Sequence, residues 1–288
     1  MSKWQVRNIE ILNCPSLIRT QYIAPRAANL TIQGYTQDAH SYHANTVNVT
    51  FNLSQNNVSS NDLTATVRAW AENLKIYNLN LINTFGHTPT KGQALALSAQ
   101  ATNQGYYGVQ LIGYQDTLLA NKGAQIYAKS LIQGAIDFIF GQTAQAWFEH
   151  IDISIIAAGY ITASGRSANN SAWYVINRSS VRGVNASVDA QAGITYLGRP
   201  WRNYARVTFQ ETYLSEVVNP AGWSIWNVGD ERTNMTQFEE YRNYGPGSVE
   251  EEGPRANFST QLSRPRVPSE VLGPEWEGQW YVDGRYLS

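Results

Sequence analysis

The sequence predicts an all-β fold, a solenoid of the parallel β-helix type. Helical periodicity is absent, short runs rich in Val, Ile, Thr, Tyr and Phe recur between Gly, Asn, Asp, Ser and Pro, and those runs repeat at 20 to 33 residues. With 43% hydrophobic and 12% aromatic residues over 288 positions, the chain has ample material for a core and cannot be a disordered or collagen-like polymer.

The strand-like runs are 29–34, 74–83, 106–115, 126–140, 146–155, 173–181 and 205–214. Laying 109–113 over 130–134 matches Gly113 with Gly134 and Leu111 with Ile132, and the register continues to Ile153, 21 residues each time. Leu81 precedes Leu111 by 30 residues, while Val181 and Leu214 follow at intervals of 28 and 33. A strand of constant length joined by loops of varying length is what stacked coils require. An antiparallel sandwich would show hairpin dipeptides every ~8 to 12 residues. The single Asp-Gly lies at Asp283-Gly284.

No linker divides the chain, and the stretch richest in Pro, Gly and Glu, 244–255, lies near the end. One domain over 29–288 is expected, with 1–28 set apart. Residues 256–288, carrying Trp276, Trp280 and Tyr281 among prolines, are expected to pack along the outside of the solenoid.

Charge and composition then remove whole classes of function. Lys plus Arg number 21 against 22 Asp plus Glu, with no basic run, which excludes a nucleic-acid surface. No apolar run approaches the ~20 residues of a membrane span, and the start does not resemble a signal peptide. The lone cysteine, Cys14, allows neither an intrachain disulfide nor a Cys-based zinc site. Nine Asn-x-Ser/Thr sequons, at Asn29, Asn48, Asn52, Asn57, Asn169, Asn177, Asn185, Asn234 and Asn257, fit a secreted glycoprotein. An Asn/Ser/Thr-rich β-protein could also generate them by chance.

The 21-residue register carries the sharpest chemical inference. It sets Gly113-Tyr-Gln-Asp116 over Gly134-Ala-Ile-Asp137, so Asp116 and Asp137 share one position on successive coils, about 4.8 Å apart. Two carboxyls that close do not ionise together readily, so one is fitted to be an acid and the other a base or nucleophile. Both are flanked by bulky apolar residues, Leu118 and Leu119 or Phe138 and Phe140, a costly setting for unpaired charge. Register alone leaves open an Asp ladder that caps turns. Arg199, extended by the following Pro200, could fork onto one carboxylate and keep it ionised. Gln93 and Gln115 are neutral amides of the kind that stabilise an oxyanion. Nine tryptophans, including Trp201, Trp223 and Trp226, offer faces for sugar rings, although most tryptophans simply fill cores. His40, His43, His87 and His150 have no metal or triad spacing and are expected at loops or the surface. No nucleotide fingerprint occurs.

Three segments, Gly113-Tyr-Gln-Asp-Thr-Leu118, Gly134-Ala-Ile-Asp-Phe-Ile-Phe-Gly141 and Leu197-Gly-Arg-Pro-Trp201, in this order, resemble the signature motifs of pectin methylesterases (pectinesterases), with a flavour nearest the fungal members. The resemblance runs from about Asn29 to the C-terminus; residues 1–28 do not resemble the family's opening strand and helix. It implies a right-handed parallel β-helix that hydrolyses methyl esters of polygalacturonate, releasing methanol. It further implies that Asp137 is the nucleophile, Asp116 the general acid/base, Gln93 and Gln115 the oxyanion amides and Arg199 the residue that orients Asp137. Trp201, Trp223 and Phe140 are implied to contact substrate. No cofactor or metal is expected, nor a nucleic-acid or membrane partner, and the enzyme is expected to be an extracellular monomer acting on pectin. A glycoside hydrolase with two close carboxylates is a competing enzyme reading, although an arginine and paired amides suit an oxyanion better than an oxocarbenium ion. A pectate lyase would need an acidic calcium cluster, which is not evident. A non-catalytic carbohydrate-binding β-helix is the reading from another class.

Overall fold

The computed structural model describes residues 9–12, 16–249 and 254–288; Cys14 lies outside them. Among the described residues every strand ladder is parallel, and the chain winds through three faces per coil. The first face is a ten-stranded sheet filled strictly in chain order, from Ile9–Leu12 to Ser259–Gln261. The second carries the predicted ladder: Leu81, Leu111, Ile132, Ile153, Val181 and Leu214 are successive partners, with Val49 before them, all buried. The third runs through Gln21–Ile23, Val67–Ala69, Leu97–Ala99 and Leu118–Ala120. Inside the coils Tyr106, Tyr127 and Phe148 stack with centroids 4.9 and 4.7 Å apart, and the tyrosine hydroxyls donate to Gln104 and Gln125. Such stacking puts large aromatic area in the core at the natural spacing of the coils.

Most of the predicted runs are in fact two strands joined at a two-residue corner whose first residue is left-handed. Asn78, Gly108, Lys129, His150, Arg178, Glu211 and Arg242 each turn the chain from the first face to the second with φ between 45° and 58°. A left-handed residue with a side chain costs roughly 1–2 kcal/mol, and hydrogen bonding between coils offsets it. Ser130 Oγ accepts from the Val109 amide and donates to Ala128 O; Ser179 Oγ does the same with Ile151 and Asn177. Thr212 and Asn243 continue this seam beneath the next corners.

Two boundaries differ from expectation. The solenoid begins before residue 29, because Ile9–Leu12, Ser16–Ile18 and Gln21–Ile23 already form one three-faced coil on the second. At the other end 259–261 is still a sheet strand, so the outer tail starts after Gln261. The tail packs on the outside of the first face, where Val271, Tyr281 and Tyr286 bury against Tyr77, Tyr107, Trp147 and Trp173. Tyr107 Oη donates to Tyr281 O and accepts from the Asp283 amide, while Tyr77 Oη donates to the Asp283 carboxylate.

Candidate active site

The strand Leu131–Gly141 rounds a second corner, between the second and third faces, and Asp137 is the residue that turns it. Its φ is 49°, and Asp116, one coil earlier, has φ 60°. Aspartate tolerates this region better than most residues. Leu118 pairs with Ile139 and Gln115 bridges Ile136, while the Asp116 amide donates to Ile136 O at 3.0 Å, so the carboxyls are neighbours along the solenoid axis. The repeated glycines make the corner possible. A Cβ on Gly113 would lie 2.7 Å from Thr117 Oγ1, and one on Gly134 would lie 2.4 Å from Phe138 Cβ, so the chain closes onto the residue four places on.

Both carboxyls are enclosed, Asp116 with 6% and Asp137 with 8% of its surface exposed. Arg199 comes from the strand Thr195–Pro200, two coils beyond Asp137. The ladder position between Phe140 and Arg199 is held by Ala163, which leaves room for the arginine to reach back. Its Nε donates to Asp137 Oδ1 at 2.9 Å and its Nη2 to Oδ2 at 2.7 Å. Tyr160 and Trp226 flank the guanidinium, with ring centroids 4.0 and 4.3 Å away, an arrangement that favours a cation through the ring quadrupoles. Burial raises the Asp116 carboxyl well above the ordinary range and the Asp137 charge raises it further, with Arg199 opposing. Burial also raises Asp137, but there the Arg199 fork pulls back strongly toward the ionised form. The two like groups are thereby pushed apart: Asp116 keeps a proton where Asp137 is the carboxylate.

Gln93 and Gln115 lie on adjacent coils, linked by the Ala94 amide donating to Gln115 O at 3.1 Å. Gln115 Oε1 rests against Gly92, where a Cβ would be 2.7 Å away. Gln93 Oε1 is buried without a partner. Among the described residues neither Nε2 donates to a protein group.

Of the three aromatic residues expected to touch substrate, Trp201 alone keeps a partly open face. Phe140 is 4% exposed and backs the Trp201 ring edge-on, with centroids 6.1 Å apart. Trp223 departs from expectation altogether. It is 1% exposed inside the coils, stacked on Phe238 at 4.3 Å, with its indole N–H donating to Glu240. A ring covered on both faces has no surface for a sugar. The spacing argument missed Tyr160 and Asn61, whose Nδ2 donates to Asp116 Oδ2 at 3.1 Å, and Trp226, named for a sugar-binding face, lies against Arg199. Tyr160 is opposite Ile136 only because three extra residues enter the strand Asp152–Ser164 between Ile155 and Tyr160, and so it falls off the 21-residue register. Trp226 and Asn61 sit in connections with no repeat. Among the histidines, His87 is exposed and rests against Tyr114, next to Gln115. Among the described residues no group of three or more His, Cys, Asp or Glu is placed to hold a metal.

Comparison with known proteins adds sequence and structural relatives. The Pectinesterase family model matches residues 28–261. A pectinesterase of Aspergillus niger is 45% identical over 271 residues, covering 93% of this chain and 80% of its own length, and one of Aspergillus aculeatus is 43% identical with 92% and 80% coverage. The crystal structure of the pectin methylesterase from Aspergillus niger superposes with a TM-score of 0.86 at 36% identity, covering 94% of this chain and 86% of that one.

Proposed function

Because the chain belongs to the pectinesterase family, we propose that Asp137 and Asp116 together remove methyl esters from the galacturonate units of pectin, releasing methanol. The observation that carries this reading is the asymmetric carboxyl pair: Asp137 is forked by Arg199, and Asp116 is buried beside it with no ion pair of its own among the described residues.

An Asp137 oxygen attacks the C6 ester carbonyl, and the charge that develops on the carbonyl oxygen falls to the free amides of Gln93 and Gln115. The carbon–methoxyl bond breaks as Asp116 gives its proton to the departing oxygen, leaving an acyl-enzyme and methanol. Water then gives a proton to Asp116 and attacks the same carbonyl, the acyl–Asp137 bond breaks, and both carboxyls return to their starting states. Trp201 is the aromatic platform for a sugar ring, with Phe140 as its support. The enzyme acts as an extracellular monomer on pectin, and the sequons suit that location.

Purified protein on highly methyl-esterified pectin, assayed for methanol and for new reducing ends beside Asp137→Ala, tests the proposal. Methanol without reducing ends, lost in the variant, is the expected result. Reducing ends without methanol would mean glycosidic cleavage instead, and neither product from folded protein would leave only carbohydrate binding.

A further inference from the structure

Asp116 is the proton donor of the proposed reaction, yet apart from Asn61 no side chain among the described residues holds its carboxyl. Asn61 opens the short helix Asn61–Thr64, within the long connection from Asn48–Phe51 to Val67–Ala69. Its Nδ2 donates to Asp116 Oδ2, and its own Oδ1 is buried with no partner. A buried amide oxygen without a partner is unfavourable, so the placement of this side chain is not accounted for by its own hydrogen bonding.

The turn bearing Asn61 is rigidly fastened. The neighbouring Asp62 accepts the Arg68 fork at 2.6 and 2.9 Å, the Trp70 indole at 3.1 Å and the Ser98 hydroxyl at 2.7 Å. Thr64 Oγ1 donates to Asn61 O and accepts from the Leu95 amide. Asn83 Nδ2 ties Leu53 O, Thr64 O and Leu95 O together. The bracket leaves Asn61 little freedom, and the Asn61 amide is its one side-chain link to the carboxyl pair.

We propose that Asn61 is a positioning residue that confines the acid proton of Asp116 to one oxygen. Oδ2 is occupied as an acceptor of the amide N–H, and the carbonyl oxygen of a neutral acid is the better acceptor, so the proton resides on Oδ1. In the esterase reading on which this inference rests, the Oδ1–H bond breaks and the O–H bond of methanol forms, with Oδ2 held throughout. The amide also steadies the carboxylate left behind. Asp137 and Arg199 are the charged groups that face Asp116, so Asn61 is the neutral partner that can be removed without altering the local charge.

Removing a donor from a carboxylate favours its protonated form. Asn61→Ala should therefore move the alkaline limb of the kcat/KM profile upward by about one pH unit and lower kcat at least about tenfold, with KM within about twofold. The direct readout is the titration of Asp116 followed by NMR of carboxyl-labelled aspartate, assigned with Asp116→Asn, and it moves upward in Asn61→Ala. Asn61→Asp, of the same size but with a charge in place of the donor, moves it further and carries the test if the alanine variant does not fold. An unmoved Asp116 titration overturns the proposal even where the melting temperature falls. A shifted titration in a protein that releases no methanol upholds the positioning role while the esterase reading fails.

Discussion

From Asn78 onward the coils of this solenoid use left-handed corners, and two kinds of them solve the same backbone problem differently. At Lys129, His150, Arg178 and Glu211 the turning side chain points away, and a seam of Ser130, Ser179 and Thr212 satisfies the amides of neighbouring coils from within. At Asp116 and Asp137 the turning residues are themselves the functional groups, enclosed and facing one another along the axis. At the first corner the charged turning residues lie outside, Arg178 pairing with Glu149, and the inner hydroxyls are neutral and paired. The second holds two carboxyls against one guanidinium and depends on residues brought from one or two coils away. Scaffold and site thus share a conformation and differ in whether hydrogen-bonding capacity is spent inside the fold or kept for a ligand.

The largest break in this comparison should come from Arg199→Ala. Asp137 would lose the cation that forks it, and methanol release should drop about 10³-fold or more; a drop below tenfold would show that the fork is dispensable. Trp223→Ala, which by the structure empties a core position, should destabilise by about 3–5 kcal/mol in denaturant unfolding, leaving KM of the remaining folded enzyme unchanged. A raised KM at intact stability would instead put that ring in contact with pectin.

Asp116→Asn should abolish turnover and yet stabilise the fold. The folded-state affinity of Asp116 for its proton is raised above the ordinary carboxylate value of 3.8. Its contribution to stability is therefore complete below that value and is lost as pH rises through the folded one. The variant should match wild type in acid and gain on it progressively toward neutrality, by about 1–3 kcal/mol; parallel stability curves would refute the burial argument. The pH–activity profile needs Asp137 ionised and Asp116 protonated, so it should be a bell with both limbs above the ordinary carboxylate range.

Ser179→Ala tests the other corner. With the buried Ile151 amide left unpaired, the loss should be about 1–2 kcal/mol, read as a lower melting temperature, while methanol release per folded molecule stays constant. The smallest effect belongs to Trp201→Ala: KM for pectin rises several-fold, with kcat and melting temperature near wild type. An unchanged KM would remove Trp201 from the platform.

The parts of this design legible in the chain were those with a strict period. The ladder from Leu81 to Leu214 pairs residue for residue as the spacing indicates, and the same 21-residue step stacks Asp116 on Asp137. Legibility failed where periodicity did. The corners at Lys129 and His150 were hidden because a single left-handed residue leaves no gap in an apolar run, and their residue types do not advertise positive φ. The extra residues before Tyr160 shift it out of step, and Trp226 reaches Arg199 from an irregular segment. Trp223 was misjudged because aromatic content does not distinguish a ring stacked in the coils from one beside a cleft.

The clamp of the last residues on the outer sheet bears on how this molecule is born. Tyr107 and Tyr281 are 174 positions apart, and Tyr77 and Asp283 are 206 apart. During synthesis the coils can stack as they emerge, since each needs only its predecessor. The aromatic outer face of Tyr77, Tyr107, Trp147 and Trp173 nevertheless waits uncovered until the segment that carries Val271, Tyr281 and Tyr286 has been made. A nascent or truncated chain would display a greasy stripe along an otherwise finished solenoid, a natural handle for chaperones and for self-association.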